Sequence, residues 1–239
     1  MLIDLHVHTN RTPGCSLRPL EVLLRARELG LDGVAFTDLD TVEALPEVRE
    51  ASQVTGVLAL MGLELATDHG RFLCFFDAPE RLPGLAGILG GPPPPARAAL
   101  ARVASLGGAV VAAHPYDKAL TGVSGDALFT LDGLTAVEGL HGRSQHRAND
   151  LAVEAADHLG LPCVGGSGAL ASLEQLGTAA TLFREPVASE AGLVARLRAG
   201  ACWAAGLSAP SAAASRPGTR PDASRPASST PRSRPAGRS

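Results

Sequence analysis

Strand-like and helix-like segments alternate along most of this 239-residue chain, which predicts an α/β fold, either an open parallel sheet or a barrel. Two further observations support that class. Several apolar runs are apolar on both faces, as buried parallel strands require. The intervening segments carry helical periodicity, and three of them end at a glycine. With 45% hydrophobic residues but only 3% aromatic, the core is expected to be mostly Leu, Val and Ala.

In chain order, a strand over residues 2–7 leads to a helix over 20–29, with Ser16 as candidate N-cap and Gly30 at its end. A strand at 33–37 and a helix at 42–54 follow. Strands at 57–65 and 71–76 then precede a glycine-proline stretch, 90–95, that reads as loop. The next helix, 96–106, closes on Gly107, and strands follow at 109–113 and 135–140. A helix at 145–159 ends at Gly160. Strands at 162–166 and 179–183 precede the last helix, 189–199, capped by Ser189. Beyond Leu207 the composition turns to Ser, Ala, Pro and Arg without periodicity. Such a segment buries too little apolar surface to offset its chain entropy, so a domain over 1–207 and a disordered tail over 208–239 are expected.

The net charge of -3 conceals an asymmetry. From Ala209 onward six arginines face one aspartate, so the tail carries +5 and the body -8. An acidic body without an aromatic platform argues against a nucleic-acid-binding surface. No apolar stretch is long enough to span a membrane, and no basic-then-apolar leader opens the chain. The four cysteines, Cys15, Cys74, Cys163 and Cys202, lack CxxC spacing and read as reduced thiols of a cytoplasmic protein.

The polar residues fall where strands end, which in parallel α/β folds is where sites are built. Asp4-Leu5-His6-Val7-His8-Thr9 closes the first strand, and alternation along a strand sends Asp4, His6 and His8 to one face. Two imidazoles and a carboxylate there suit a transition metal. Thr37-Asp38-Leu39-Asp40 closes the second strand and Glu64 lies at the end of the third. His114 precedes Pro115. Glu138, His141 and Arg143 follow a later strand, and Gly165-Gly166-Ser167 ends another.

These segments resemble the PHP (polymerase and histidinol phosphatase) family. The resemblance rests on residues 4–9, 30–33 with 37–40, 62–65, 113–115, 165–170 and 172–183, and spans roughly residues 1–205. It implies a distorted (β/α)7 barrel holding up to three metal ions, typically zinc, manganese or iron, that hydrolyse phosphate esters. The chain departs from the family pattern at four ligand positions. Leu39 replaces a histidine, Arg71 follows Gly70 where a histidine is usual, and Gly168 and Leu170 replace an aspartate and a histidine. His6, His8, Glu64 and His114 keep their ligand identities. Leucine and glycine side chains offer no donor atom, and arginine is a fixed cation.

The expectation is therefore a degraded site holding one divalent ion, zinc or manganese, or none. Arg71 and Arg143 are expected to bind phosphate, with a small phosphorylated molecule as partner. The function implied is phosphate-ester hydrolysis by metal-activated water. The alternative is a catalytically inactive PHP fold that binds a phosphorylated ligand or a protein partner. His141 and His146 are expected in surface or hydrogen-bonded roles, His158 at a helix end, and His69 or His141 as the residue that could rebuild a site in three dimensions.

Overall fold

The structure is a computed structural model, described here over residues 1–79, 89, 91–121 and 125–207. The tail expected to be disordered, 208–239, and the first residue of the 90–95 stretch lie outside the described residues. The element order is β1 (Leu2–Val7), α1 (Pro19–Leu29), β2 (Gly33–Phe36), α2 (Leu45–Thr55), β3 (Leu58–Thr67), β4 (Gly70–Phe75), α3 (Ala96–Ser105), β5 (Ala109–Ala112), α4 (Lys118–Thr121), β6 (Ala136–His141), α5 (His146–Leu159), β7 (Cys163–Gly166), β8 (Ala179–Phe183), α6 (Glu190–Ala199) and β9 (Cys202–Gly206). A short 3-10 segment, Gly125–Thr130, precedes β6.

The sheet runs β7-β6-β5-β4-β3-β2-β1-β8-β9. It is mixed: β1–β2, β2–β3, β5–β6 and β6–β7 pair in parallel, and the other four pairings are antiparallel. Its two sides curl together into a nearly closed barrel. The residues after β7 lie along β1, where Gly168 N donates to His6 O at 2.8 Å and His8 N to Ala169 O at 2.9 Å. Thr181 on β8 joins the same seam, since its Oγ1 both accepts from Gly165 N and donates to Gly165 O. At Gly166 a Cβ would lie 2.4 Å from the His6 Cβ, so glycine is what allows β7 to approach β1 this closely.

Helices α1, α2, α3 and α5 cover one face of the sheet through Val22, Leu23, Val48, Leu100, Val103 and Ala155. The other face carries a second apolar cluster, Ile3, Leu5, Leu60, Leu73, Phe75, Val111 and Phe183, which Leu193, Val194 and Leu197 of α6 close off. Period-two alternation along β3 puts Leu60, Gly62 and Glu64 on one face. The carboxylate therefore sits beyond the apolar floor, on the same side.

The predicted strands and helices all form, with ends displaced by at most three residues. α2 starts at Leu45 because Pro46 fits only the first helical turn. Ser16 does not cap α1. The cap position is Arg18, without a side-chain bond, and Pro19 opens the helix with its φ already set. Ser189 does cap α6, its Oγ accepting from Gly192 N at 3.2 Å. β9 was not foreseen. Its sequence, CWAAG, is short and mostly alanine and glycine, and only pairing with β8 makes it a strand.

Candidate metal centre

Four histidines from three strands meet at one end of the barrel. The His6 ring centroid lies 5.1 Å from that of His8, 5.5 Å from His114 and 5.2 Å from His141. His114 and His141 are 4.7 Å apart. All four are buried, as are Glu64 and Glu138. Two groups of donor atoms close enough to hold an ion result: His6, His8 and Glu64, and His6, His114, Glu138 and His141.

The outer contacts of each ring decide which nitrogen is free. His6 Nδ1 lies 3.0 Å from Glu138 Oε1. A carboxylate only accepts, so Nδ1 carries the proton and Nε2 is left with its lone pair. His8 Nδ1 lies 3.1 Å from Thr12 Oγ1. That hydroxyl spends its proton on Asp38 Oδ1 at 2.7 Å, so His8 Nδ1 must be the donor and Nε2 is again bare. Both free nitrogens face Glu64, at 3.7 Å from Oε1 for His6 and 3.6 Å from Oε2 for His8. The His6 Nε2 is buried with no hydrogen-bond partner.

Three acceptors turned toward one another in a buried site require a positive charge between them. The proton affinities express the same demand. Burial opposes the charge on His6, yet Glu138, Glu64 and Asp4 outweigh it and hold its pKa above the usual imidazole value. Burial also opposes the charge on Glu64, but the hydrogen bond from His114 and the charges of the neighbouring histidines keep it well below the carboxylate range. His8 and His141 are each pushed down to about 3, chiefly by burial, and so are neutral donors at physiological pH. The residues present thus fit a divalent cation, with a nitrogen-rich set of the kind zinc accepts.

His114 ends β5 with φ +31°, a conformation that costs a non-glycine residue about 1–3 kcal/mol. Its N–H donates to Glu138 Oε2 at 2.8 Å and its Nε2 to Glu64 Oε1 at 3.0 Å. Glu138 thereby clamps β1 and β5 together through its two oxygens. The four residues expected to hold metal, His6, His8, Glu64 and His114, are all in the cluster.

Asp4 shares their strand but not their task. Its carboxylate accepts from Ser167 N at 2.9 Å and Gly177 N at 3.2 Å, tying down the loop after β7. Burial raises its pKa to about 6. Asp38 is also structural, receiving Thr9 N and Thr9 Oγ1, each at 2.6 Å.

A cavity of about 190 Å³ opens over the histidines, lined also by Leu39, Leu170, Arg71 and Arg143. Leu39 and Leu170 present only carbon there. The Arg71 guanidinium lies 3.3 Å from Glu64 Oε2, and Arg143, an exposed residue, reaches Gly168 O at 3.3 Å. His69 stays outside, half-exposed and paired with Asp68. His146 is exposed, and His158 caps its own helix at Glu154 O.

His141 is the residue for which the structure decides between the alternatives left open by the sequence. It is hydrogen-bonded, to Ser144 Oγ at 2.9 Å, but it is buried in the cluster and not at the surface. Glu138 and His141 are three apart, which in a regular strand places them on opposite faces. A register shift in β6 between Glu138 and Leu140 turns both toward the site. Asn149 then fixes the backbone, its Oδ1 accepting from His141 N and its Nδ2 donating to His141 O. The EGLH spacing alone conceals this bulge.

Comparison with known proteins follows the same outline. The PHP domain family matches residues 4–160, and the PHP-associated family matches 146–202. An uncharacterized protein of Methanocaldococcus jannaschii is 26% identical over 142 residues, covering 55% of this chain and 77% of its own length. A phosphoribosyl 1,2-cyclic phosphate 1,2-diphosphodiesterase of Eggerthella lenta is 32% identical over 95 residues, 38% of this chain but only 36% of that enzyme. Among solved structures, a two-domain protein of Bacteroides vulgatus containing a predicted PHP-like metal-dependent phosphoesterase superposes with TM-score 0.67 at 17% identity, covering 86% of this chain and 64% of that one. An amidohydrolase from Chromobacterium violaceum, with bound sulfate and no metal, gives 0.57 at 19%, over 73% and 89%. These two likenesses concern the fold.

Proposed function

The chain belongs to the PHP family, and from that membership we propose that it hydrolyses phosphate esters with one divalent cation, zinc or manganese, held by His6, His8 and Glu64. The observation that carries this reading is the convergence of two bare Nε2 atoms on one carboxylate, at 3.6 and 3.7 Å. When bound, the cation supplies a water of lowered pKa and a Lewis-acid contact for a phosphoryl oxygen.

The chain's own residues do the rest. Glu138 and Thr12 hold the His6 and His8 rings in the tautomer that leaves Nε2 bare. Leu39 and Leu170 confine cations to the histidine side of the cavity, because they offer no donors. Arg71 and Arg143, at the cavity wall and mouth, meet the phosphoryl oxygens with charge-assisted hydrogen bonds. The cavity's about 190 Å³ suits a phosphate carried on a small organic group. The Eggerthella relative's name extends the candidate substrates to a cyclic phosphodiester of a sugar. Unpaired thiols at all four cysteines support a cytoplasmic setting. Among the described residues no helix is long and apolar enough to cross a membrane.

A second reading, a catalytically silent binder of a phosphorylated ligand, draws on Arg71. Its guanidinium beside Glu64 supplies positive charge to that carboxylate without a metal. Metal analysis of the purified full chain, with assays on a phosphomonoester and a cyclic phosphodiester in added zinc or manganese, separates the two. Turnover that a chelator abolishes and zinc restores supports hydrolysis. Binding of inorganic phosphate without metal or turnover supports the silent fold and overturns hydrolysis.

A further inference from the structure

We propose that the substrate is a phosphate monoester of an apolar alcohol or phenol, its organic group seated against Leu39, Pro13 and Leu170, an inference that rests on the hydrolytic reading above. Strand order divides the cavity into two sides. Leu170 follows β7, Pro13 follows β1 and Leu39 follows β2. These three strand ends are neighbours at the mouth, because the residues after β7 bond to β1 and β1 pairs with β2. Arg71 on β4 and Arg143 after β6 line the other side, with Leu120 of α4 between them in strand order. An ester whose phosphoryl end meets the arginines therefore turns its organic group toward the apolar arc.

That arc has no hydrogen-bond donor to spare. Leucine and proline side chains carry none, and proline also lacks a backbone N–H. The Leu39 N–H donates to Thr12 Oγ1 at 3.1 Å, and the Leu170 N–H to Gln175 Oε1 at 3.0 Å. Thr12 Oγ1 gives its own proton to Asp38. Both leucines are half-buried, and their loops are tied down without any ligand. Gln175 Oε1 also accepts from Ala171 N at 2.9 Å. Beyond Leu39, Asp40 adopts φ +53°, which aspartate tolerates. Its N–H donates to Glu64 O and its Oδ1 accepts from Ala66 N, each at 2.9 Å. A sugar hydroxyl set against this arc loses water without a partner, whereas a methylene gains by leaving water. In the reaction, water attacks phosphorus and forms the new P–O bond, and the P–O bond to the ester oxygen breaks. The ester oxygen keeps that electron pair and takes one proton of the water, so an alcohol or phenol and inorganic phosphate, which keeps the other proton, are released.

The test compares two primary phosphate esters with the same carbon chain, hexyl phosphate and sorbitol 6-phosphate, on the full chain loaded with zinc or manganese. Hexyl phosphate is expected to be preferred at least ~100-fold in kcat/KM. Leu39→Asn and Leu170→Asn each place a polar group in the arc and are each expected to cut that preference ~10-fold. Inhibition by inorganic phosphate, which has no organic group, and zinc content are expected to match the parent's. Circular dichroism checks folding, and because the two variants lie in separate loops, either one serves if the other fails to fold. Equal turnover of the two esters, or a preference that the folded variants leave intact, overturns the apolar subsite while the hydrolytic reading stands. Turnover of a cyclic sugar phosphodiester but of neither monoester does the same. If the parent chain turns over none of the three, both are overturned.

Discussion

Thr12 Oγ1 lies 3.1 Å from His8 Nδ1 and 2.7 Å from Asp38 Oδ1, and this one hydroxyl sets the direction of both bonds. Its only proton goes to the carboxylate, so the imidazole must donate. Removing the hydroxyl frees His8 to place its proton on Nε2, the nitrogen that faces Glu64. Thr12→Val keeps the shape and deletes the bond. It is expected to weaken zinc binding by about 10- to 100-fold, measured by competition with a chromogenic chelator. Unchanged affinity would show that the tautomer is set elsewhere.

Arg71 tests the division of labour between fixed and bound charge. Arg71→Met removes one charge-assisted contact to phosphate, worth about 1.5–3 kcal/mol. The expected result is a KM raised about 10- to 100-fold, with zinc affinity equal to or tighter than the parent's, because Glu64 loses a competitor. A fall in kcat at constant KM would instead assign Arg71 to the transition state.

Bound zinc is expected to stabilise the fold. At a free concentration 100 times its Kd, an ion that binds only the native state adds about 2.7 kcal/mol, or about 5–10 °C in Tm for a domain of this size. His6 donates to both ligand groups, so His6→Ala is expected to abolish the shift. A full shift in that variant would place the ion outside the histidine cluster.

The metal-free chain is expected to lose stability as pH falls from about 6.5 to 3. His8 and His141 have folded pKa values near 3, below the unfolded value of about 6.5. In that window the unfolded chain binds the extra protons, so their stability is present above pH 6.5 and lost below it. Asp4, raised to about 6, acts in the opposite sense and cancels one of the two between about pH 6 and 3.8. Glu64 and Glu138, both held low by the histidines, add to the loss below about pH 4.5. Between about pH 6 and 4.5 the net is one proton, a slope of about 1.4 kcal/mol per pH unit. The slope steepens below about pH 4.5 as Glu64 and Glu138 join, and it is read from urea unfolding at several pH values. His141→Ala is expected to flatten it.

Much of the fold was legible because buried strands and glycine-terminated helices write themselves into hydrophobic pattern. The site was legible to the extent that it follows strand ends: His6, His8, Glu64 and His114 all close strands, and all meet. What pattern does not carry is a break in pattern. The bulge in β6 turns His141 inward against the alternation of its strand. Asp4 shows the reverse error, since a shared strand face does not imply a shared cavity. The carboxylate is taken up by backbone N–H groups 163 and 173 residues away.

That span has a temporal meaning. His6 and His8 are made well before the chain that locks their strand, residues 167–169 and β8. The Met1 ammonium itself donates to Phe183 O. Until that late segment arrives, the two histidines have no barrel to point into, and contacts of such long range form slowly. Assembly of the centre therefore waits on that later segment, and a chain truncated before β8 is expected to keep its ligands without the strand contacts that hold them together.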